Sequence, residues 1–219
     1  MLEDIWYSYD NVEFVLKGVD LSLREPGLYI VIGPNGSGKT TLLKIMSLIL
    51  KPVKGKVLVN GVDYWSLSDD EKREIRRHIV YVHDKPIMLR GSVEYNIVIG
   101  TRLRGFNDKA LIDRYVDRYG LRNILGKHAS QLSAGQAKIV SIIRALVLKP
   151  RVLILDEPFT FLEPSKIDLL LEDLGIVVEG GGTVVLSTHY MYKKVLSMAR
   201  DVLELYGGMI TGRGISGFV

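Results

Sequence analysis

The segment from Leu28 to Leu50 constrains the fold of this chain more than any other. Its first part, Leu28 to Ile32, is an apolar run typical of a buried strand, and its last part, Lys39 to Leu50, is predicted to be helical. The turn between them is rich in glycine and consists of Gly33, Pro34, Asn35, Gly36, Ser37 and Gly38. A strand, turn and helix in this order bring backbone N–H groups and the positive end of a helix to one point, which suits a di- or triphosphate.

The pattern Gly-x-x-x-x-Gly-Lys-Thr, which spans Gly33 to Thr40, also suggests roles for side chains. Lys39 is expected to reach the β and γ phosphates of a nucleotide, and the Thr40 hydroxyl is expected to ligate Mg²⁺. We also expect Thr41, the next residue, to bind the nucleotide. The alternative is an ordinary glycine turn, but the preceding strand and the following helix favour the phosphate site.

Apolar, β-rich runs recur along the chain with helical stretches between them, which predicts an α/β core with a mainly parallel sheet. The predicted core strands are Leu28 to Ile32, Val57 to Val59, Ile79 to Val82, Val152 to Leu155, Thr183 to Ser187 and Val202 to Tyr206. Residues Leu2 to Leu23 predict two or three antiparallel strands, broken at Asp10-Asn11 and at Lys17-Gly18. Between Ser92 and Leu148 the pattern turns helical, with helices expected at Asp108 to Tyr119 and Ala134 to Leu148.

Composition excludes several classes of function. The 219 residues include no cysteine, so disulfides, thiolate metal sites and thiol catalysis are excluded. The formal charge of +4 is spread along the chain, so a direct nucleic-acid partner is permitted but not indicated. The N-terminus lacks the pattern of a secretion signal, and the apolar runs are far shorter than the ~20 residues of a membrane-spanning helix. We therefore expect a cytoplasmic protein that reaches a membrane only through partners.

A second motif supplies two carboxylates at the end of another predicted strand. Asp156 and Glu157 follow Val152 to Leu155, at the edge of the sheet where open α/β folds bind ligands. Asp156 is suited to hold Mg²⁺, directly or through water, and Glu157 to act as general base on the attacking water. An acidic pair alone would be a helix cap or a turn, but together with the turn at 33–40 it indicates a nucleotide-hydrolysing site.

With these two motifs, the segment Leu132-Ser133-Ala134-Gly135-Gln136 resembles the signature Leu-Ser-Gly-Gly-Gln of the ABC (ATP-binding cassette) ATPases. The resemblance runs from Tyr9 to about Tyr206. It implies that Ser133, Gly135 and Gln136 begin a helix whose N-terminus completes the ATP site of an opposite subunit. The residues alone support a Ser133 N-cap and a phosphate-binding helix end, and the alternative is simply a capped helix.

Two further site residues are suggested by the same resemblance. His189, in Ser187-Thr188-His189, matches the family's switch histidine, which contacts the γ-phosphate. Tyr9 lies where the family places an aromatic ring that stacks on adenine. The alternatives are a surface or core histidine and a tyrosine that packs within the N-terminal strands.

Three departures from the family pattern bear on the rate of hydrolysis. Asp84 replaces a Gln that touches Mg²⁺ or water and links the core to the helical subdomain, so Asp84 is a candidate metal ligand. Position 134 is Ala where the family has Gly, which adds a methyl group near phosphate. Residues 160–163 read Thr-Phe-Leu-Glu in place of the frequent Ser-Ala-Leu-Asp. These departures leave open a hydrolysis-impaired member of an asymmetric pair.

The resemblance implies a single ABC ATPase domain in which residues 1–27 form an antiparallel flap, 28–84 and 149–219 the P-loop core, and 85–148 a helical subdomain. It also implies Mg-dependent ATP hydrolysis by a homo- or heterodimer that drives separate transmembrane permease subunits from the cytoplasmic face of the membrane. The region Asp84 to Gly105 resembles the segment of importer ATPases that receives the permease. A soluble assembly-scaffold ATPase is the alternative from another class.

Overall fold

The strands of the computed structural model, which describes residues 1–189 and 193–214, form two sheets. In chain order the strands are β1 Leu2–Tyr7, β2 Leu16–Leu21, β3 Gly27–Ile32, β4 Lys54–Val59, β5 Val62–Asp63, β6 Ile79–Val82, β7 Val152–Leu155, β8 Thr183–Thr188, β9 Ala199–Tyr206 and β10 Met209–Arg213. The larger sheet has the order β10-β9-β3-β8-β7-β6, and all its pairs are parallel except β10 with β9. The predicted α/β class with a mainly parallel sheet is confirmed.

Helices cover both faces of the larger sheet, which explains why its strands are continuous apolar runs. In β3, Leu28, Ile30 and Ile32 belong to one buried cluster, whereas Tyr29 and Val31 belong to another on the opposite face. The parallel register aligns the carboxyl ends of the strands, with Ile32 beside Thr188. The residues that follow β3, β7 and β8 therefore lie at one edge of the sheet.

The smaller sheet is antiparallel, with the order β2-β1-β4-β5. The prediction that Val57 to Val59 is a strand of the parallel core was wrong, because β4 pairs with β1 and places Val57 opposite Leu2. The reason is physical: Lys54 and Lys56 are exposed within β4, so only one face of this strand is covered. The break predicted at Lys17-Gly18 was also wrong, since Gly18 lies inside β2 with a φ of 64°.

The segment between β6 and β7 is helical, as predicted. It contains α3 Val93–Leu103, α4 Lys109–Arg118 and α5 Ala134–Leu146, which follow the N-cap residues Ser92, Asp108 and Ser133. Helix α5 ends two residues earlier than predicted, because Lys149 adopts a φ of 48° and Pro150 follows it.

Four other α-helices lie in the described residues: α1 Lys39–Met46, α2 Asp69–Arg76, α6 Pro164–Glu179 and α7 Lys193–Met198. Helix α1 ends four residues before the predicted Leu50, because Leu48 adopts a φ of 61°. Among the described residues, no helix has both the length and the apolar character needed to cross a membrane.

Candidate nucleotide site

The turn between β3 and α1 has the backbone geometry of a phosphate-binding loop. Gly33, Gly36 and Gly38 have φ values of 153°, 80° and 101°. A Cβ at Gly33 would lie 2.1 Å from the carbonyl oxygen of Leu205, so only glycine fits there. Helix α1 has no side-chain cap and no acidic residue in its first turn, which leaves its N–H groups and its positive end open to an anion.

The side chains of the loop fit a phosphate ligand. Lys39 Nζ donates hydrogen bonds to the carbonyl oxygens of Gly33, at 2.8 Å, and Pro34, at 3.1 Å, so the ammonium lies over the loop. Ser37 is buried, and its Oγ has no hydrogen-bond partner within the described part of the chain. A buried hydroxyl without a partner is costly, and a phosphate oxygen in the loop would accept its hydrogen bond.

Asp156 is the centre of a hydrogen-bond network at the carboxyl edge of the sheet, and only 1% of it is exposed. Its Oδ2 accepts from Thr40 Oγ1 at 2.7 Å and from Tyr81 OH at 3.0 Å, while Oδ1 accepts from Ser187 Oγ at 2.6 Å. Burial and the Asp156 charge raise the pKa of Tyr81, so its phenol remains a donor. The structure thus joins Thr40 and Asp156, two of the three residues predicted to hold Mg²⁺.

Tyr81 and Ser187 are site residues that the sequence reasoning missed. Tyr81 lies within the predicted strand Ile79 to Val82 and Ser187 directly precedes Thr188-His189, but the sequence assigned neither residue a role. Tyr81 lies in β6 and Ser187 in β8, so they flank the strand β7 that ends just before Asp156. The available signal was therefore a polar side chain near the end of each neighbouring strand.

Glu157 and His189 face each other beside Asp156. Glu157 has a φ of 45°, and its backbone N donates to Ser187 Oγ at 3.0 Å. Its Oε2 lies 2.8 Å from His189 Nδ1, and 19% of the Glu157 side chain is exposed. The left-handed backbone is an uncommon, strained conformation for a non-glycine residue. This arrangement leaves a partly exposed carboxylate directly after Asp156, which accepts a hydrogen bond from Thr40.

Tyr9 lies beside the phosphate loop, next to a cleft. Its hydroxyl is 3.1 Å from Thr41 Oγ1, and its ring meets that of Tyr7 edge to face at 5.0 Å. The Tyr9 side chain is largely exposed and, with Gly36, lines a cleft of about 410 Å³. The position suits the predicted stacking on a base, and that role remains a prediction.

The segment Ser133 to Gln136 is a capped helix start on the surface. Gln136 N donates to Ser133 Oγ at 3.2 Å, and Ser133 N donates to Gln136 Oε1 at 3.1 Å. A Cβ at Gly135 would lie 2.7 Å from the carbonyl oxygen of Phe161, so the helix start packs closely on the turn after Glu157. Within the described chain, no hydrogen bond or ion pair joins 133–136 to 33–41, and Ser133 remains exposed.

Asp84 is placed by its backbone and not by its side chain. Its carbonyl oxygen accepts a hydrogen bond from Lys138 Nζ at 2.6 Å, whereas its carboxylate makes no hydrogen bond with any described residue. In residues 1–189 and 193–214, no group of three or more His, Asp and Glu side chains is arranged to hold a metal. Mg²⁺ needs only one or two protein carboxylates when phosphates supply the other oxygens, so Thr40 and Asp156 suffice. A metal-binding role for Asp84 stays a prediction.

Polar side chains from two helices hold residues 83–89, which follow β6. Arg144 of α5 donates to the carbonyl oxygen of Ile87 at 2.8 Å. Asn96 of α3 accepts from Leu89 N at 2.8 Å and donates to Leu89 O at 3.0 Å. The segment borders a cleft of about 240 Å³, and Ile87, Leu89 and Leu103 around this cleft are exposed. This apolar cleft, whose rim is held by Arg144 and Asn96, is a candidate contact surface for another protein.

Comparison with known proteins gives matches over nearly the whole chain. A family model described as ABC transporter matches residues 16–160. An ABC transporter ATP-binding protein of Pyrococcus horikoshii is 32% identical over 210 residues, which cover 94% of this chain and 79% of that protein. A methionine import ATP-binding protein of Oceanobacillus iheyensis is 39% identical over 181 residues, which cover 80% of this chain and 52% of that protein. Among solved structures, a dimeric ATP-binding cassette bound to ADP and Pi in a post-hydrolysis state matches with a TM-score of 0.86 and 26% identity, covering 97% of this chain and 96% of that one.

Proposed function

Because the chain belongs to the ABC transporter family of ATP-binding proteins, we propose that it hydrolyses Mg-ATP as one half of a dimer and powers transport through separate membrane subunits. The observation that carries this proposal is the hydrogen-bonded series Thr40–Asp156–Ser187–Glu157–His189 beside the phosphate loop. It places the candidate metal-holding pair and the candidate base at one edge of the sheet.

In hydrolysis, one group of residues binds the phosphates and the metal ion, and another accepts the proton of the attacking water. The loop at 33–38, the open end of α1 and Lys39 bind the phosphates and orient the terminal one. Thr40 Oγ1 and Asp156 would hold a Mg²⁺ ion, which would supply positive charge to offset that of the phosphate oxygens. The Glu157 carboxylate accepts a proton from the attacking water, and His189 orients that carboxylate through the 2.8 Å contact between Nδ1 and Oε2.

The second half of each site comes from the other subunit of the dimer. Ser133 and Gly135 lie at an exposed helix start, and the described chain makes no bond from them to its own loop. A helix N-terminus binds anions, so this start suits a phosphate held by a facing subunit. The structural neighbour that binds ADP and Pi is itself dimeric, which supports the same arrangement here.

The cleft beside residues 83–89 is proposed as the contact with a permease on the cytoplasmic face of the membrane. Three exposed apolar side chains, Ile87, Leu89 and Leu103, surround it, and 79% of Leu103 is exposed. Buried in a contact, such side chains contribute about 25 cal/mol per Å² of apolar area. The import function named for the Oceanobacillus iheyensis relative supports import as the direction of transport.

The hydrolytic role is tested by ATPase assays of Glu157→Gln and Lys39→Ala. Glu157→Gln should abolish steady-state turnover while an ATP-dependent dimer accumulates in light scattering. Lys39→Ala should lose nucleotide affinity in a direct titration. The matched control is Glu179→Gln, because Glu179 is an exposed carboxylate at the far end of α6. Turnover by Glu157→Gln at the rate of this control would refute the assigned base.

The transport role is tested by purifying the tagged protein from native membranes. Recovery with an integral membrane permease is expected, and Leu103→Asp should lose that partner. The control is Val53→Asp, another exposed apolar residue that does not line the cleft. Recovery of soluble factors alone would favour the assembly-scaffold ATPase, and equal recovery with both variants would contradict the proposed contact surface.

A further inference from the structure

Lys138 is a wholly buried lysine in the second turn of α5, with 0% of its surface exposed. Its Nζ donates hydrogen bonds to the carbonyl oxygen of Asp84 at 2.6 Å and to that of His83 at 3.3 Å. These carbonyls belong to residues 83 and 84, which directly follow β6 and lie beyond its pairing with β7. The Lys138 ammonium therefore supplies the hydrogen bonds that a neighbouring strand does not give to these carbonyls.

Packing alone does not account for an ammonium at this position. Taking a charge out of water is costly unless paired and hydrogen-bonded, and an apolar side chain of similar volume would fill the same space without that cost. Burial lowers the pKa of Lys138, while the charges of Asp84, Asp156 and Glu157 raise it. The charge thus lies close enough to the acidic site to interact with it, although the atoms it touches are backbone oxygens.

Resting on the proposed ATPase function, we propose that Lys138 is a positioning residue that acts through Asp84. It fixes the backbone of Asp84 to α5 and so directs the Asp84 carboxylate, which makes no hydrogen bond with any described residue, towards the site formed by Asp156 and Glu157. Ser133, the N-cap of the same helix, lies five residues earlier, so one rigid element sets the position of both Asp84 and the exposed helix start.

The test compares Lys138→Met with wild type, each with Asp84 intact and with Asp84→Ala. Lys138→Met keeps an unbranched side chain, one atom shorter than lysine, and removes its hydrogen-bond donors. The control is Lys166→Met, because Lys166, although only partly buried, also donates to a backbone carbonyl, that of Tyr119 at 3.0 Å, away from the site. The measurements are kcat and KM for ATP in the presence of Mg²⁺, affinity for a fluorescent ATP analogue, and the thermal midpoint of unfolding.

With Asp84 intact, Lys138→Met should lower kcat at least ten-fold and leave nucleotide affinity within about two-fold, because it leaves the contacts of the phosphate loop in place. In the Asp84→Ala background the same substitution should change kcat by less than two-fold. Lys166→Met should leave kcat within two-fold in both backgrounds. If Lys138→Met does not fold, Lys138→Gln serves in its place, because its shorter amide cannot reach both carbonyls, and the same dependence on Asp84 is expected.

Three results would overturn the inference: an equal loss of kcat in the two Asp84 backgrounds, an Asp84→Ala variant with wild-type kcat, or a loss that appears in nucleotide affinity instead of kcat. Each of them requires a wild type that hydrolyses ATP, so the proposed function would stand. A wild type that binds but does not hydrolyse ATP would refute the proposed function, and the inference would fall with it.

Discussion

Ser187→Ala is the substitution that tests the site network most directly. Ser187 is fully buried, and its Oγ makes two hydrogen bonds, donating to Asp156 Oδ1 at 2.6 Å and accepting from Glu157 N at 3.0 Å. A hydrogen bond to a charged group contributes about 1.5–3 kcal/mol, and one between neutral groups about 1 kcal/mol. Their joint loss should lower the free energy of unfolding by roughly 2.5–4 kcal/mol.

For a chain of this size, each kcal/mol lowers the melting temperature by about 2–4 °C, so the expected fall is roughly 5–15 °C. The assay is thermal and urea unfolding of the ligand-free protein followed by circular dichroism. Ser47→Ala is the control, because the buried Ser47 hydroxyl donates only to Leu43 O, which also accepts from Ser47 N. The control should lose at most about 1 kcal/mol.

The kcat of Ser187→Ala should also fall at least ten-fold, which corresponds to about 1.4 kcal/mol, because the Glu157 backbone loses its anchor. A melting temperature and kcat equal to those of Ser47→Ala would refute the network as the device that places Glu157.

Three further predictions follow from the same structure. Gly33→Ala should lower the melting temperature and abolish nucleotide binding, because its Cβ would lie 2.1 Å from a carbonyl oxygen, whereas Gly126→Ala, which meets nothing within 4 Å, should be neutral in both assays. Gly135→Ala, whose Cβ would lie 2.7 Å from a carbonyl oxygen, should lower kcat with little change in ATP affinity of the monomer, and unchanged turnover would contradict the close packing of this helix start. Burial raises the pKa of Asp173 above its usual 3.8, so its contribution to stability is present below pH 3.8 and is lost as pH rises through the higher folded value. Asp173 also forms an ion pair with Arg118, whose Nε lies 3.1 Å from its Oδ1. The stability of wild type relative to Asp173→Asn, measured by urea unfolding, should decrease from about pH 4 to pH 7, and an increase would show that this ion pair dominates.

Much of the fold was predictable because a strand covered on both faces leaves a continuous apolar run in the sequence. Five of the six predicted core strands lie in the larger sheet for this reason. The exception, Val57 to Val59, is too short to reveal that only one of its faces is covered. The ends of α1 and α5 were misplaced because Leu48 and Lys149 adopt left-handed conformations, which local propensity does not predict for these residue types.

The candidate site was predictable where one motif fixes its own geometry and unpredictable where two strands must meet. The loop at 33–40 is set by adjacent glycines and a helix start, so its backbone followed from the sequence. The partners of Asp156 at Tyr81 and Ser187 depend on the order β6-β7-β8, which periodicity does not specify. Lys138 was missed for a related reason, since its length and charge fit the exposed face of a helix as well as a buried contact.

Side chains of helix α5 contact both the segment after β6 and the rim of the apolar cleft, which are separate in the sequence from the motif at the start of this helix. Lys138 holds the carbonyl oxygens of His83 and Asp84, and Arg144 holds that of Ile87 at the rim of the apolar cleft. The two side chains stand six residues apart on one helix, or about 9 Å along its axis. In the proposed permease contact, a displacement of Ile87 would act on the same helix that anchors Asp84. Coupling between permease and nucleotide site then requires only that α5 shift as a unit, because its polar side chains already hold both ends of the segment from 83 to 87.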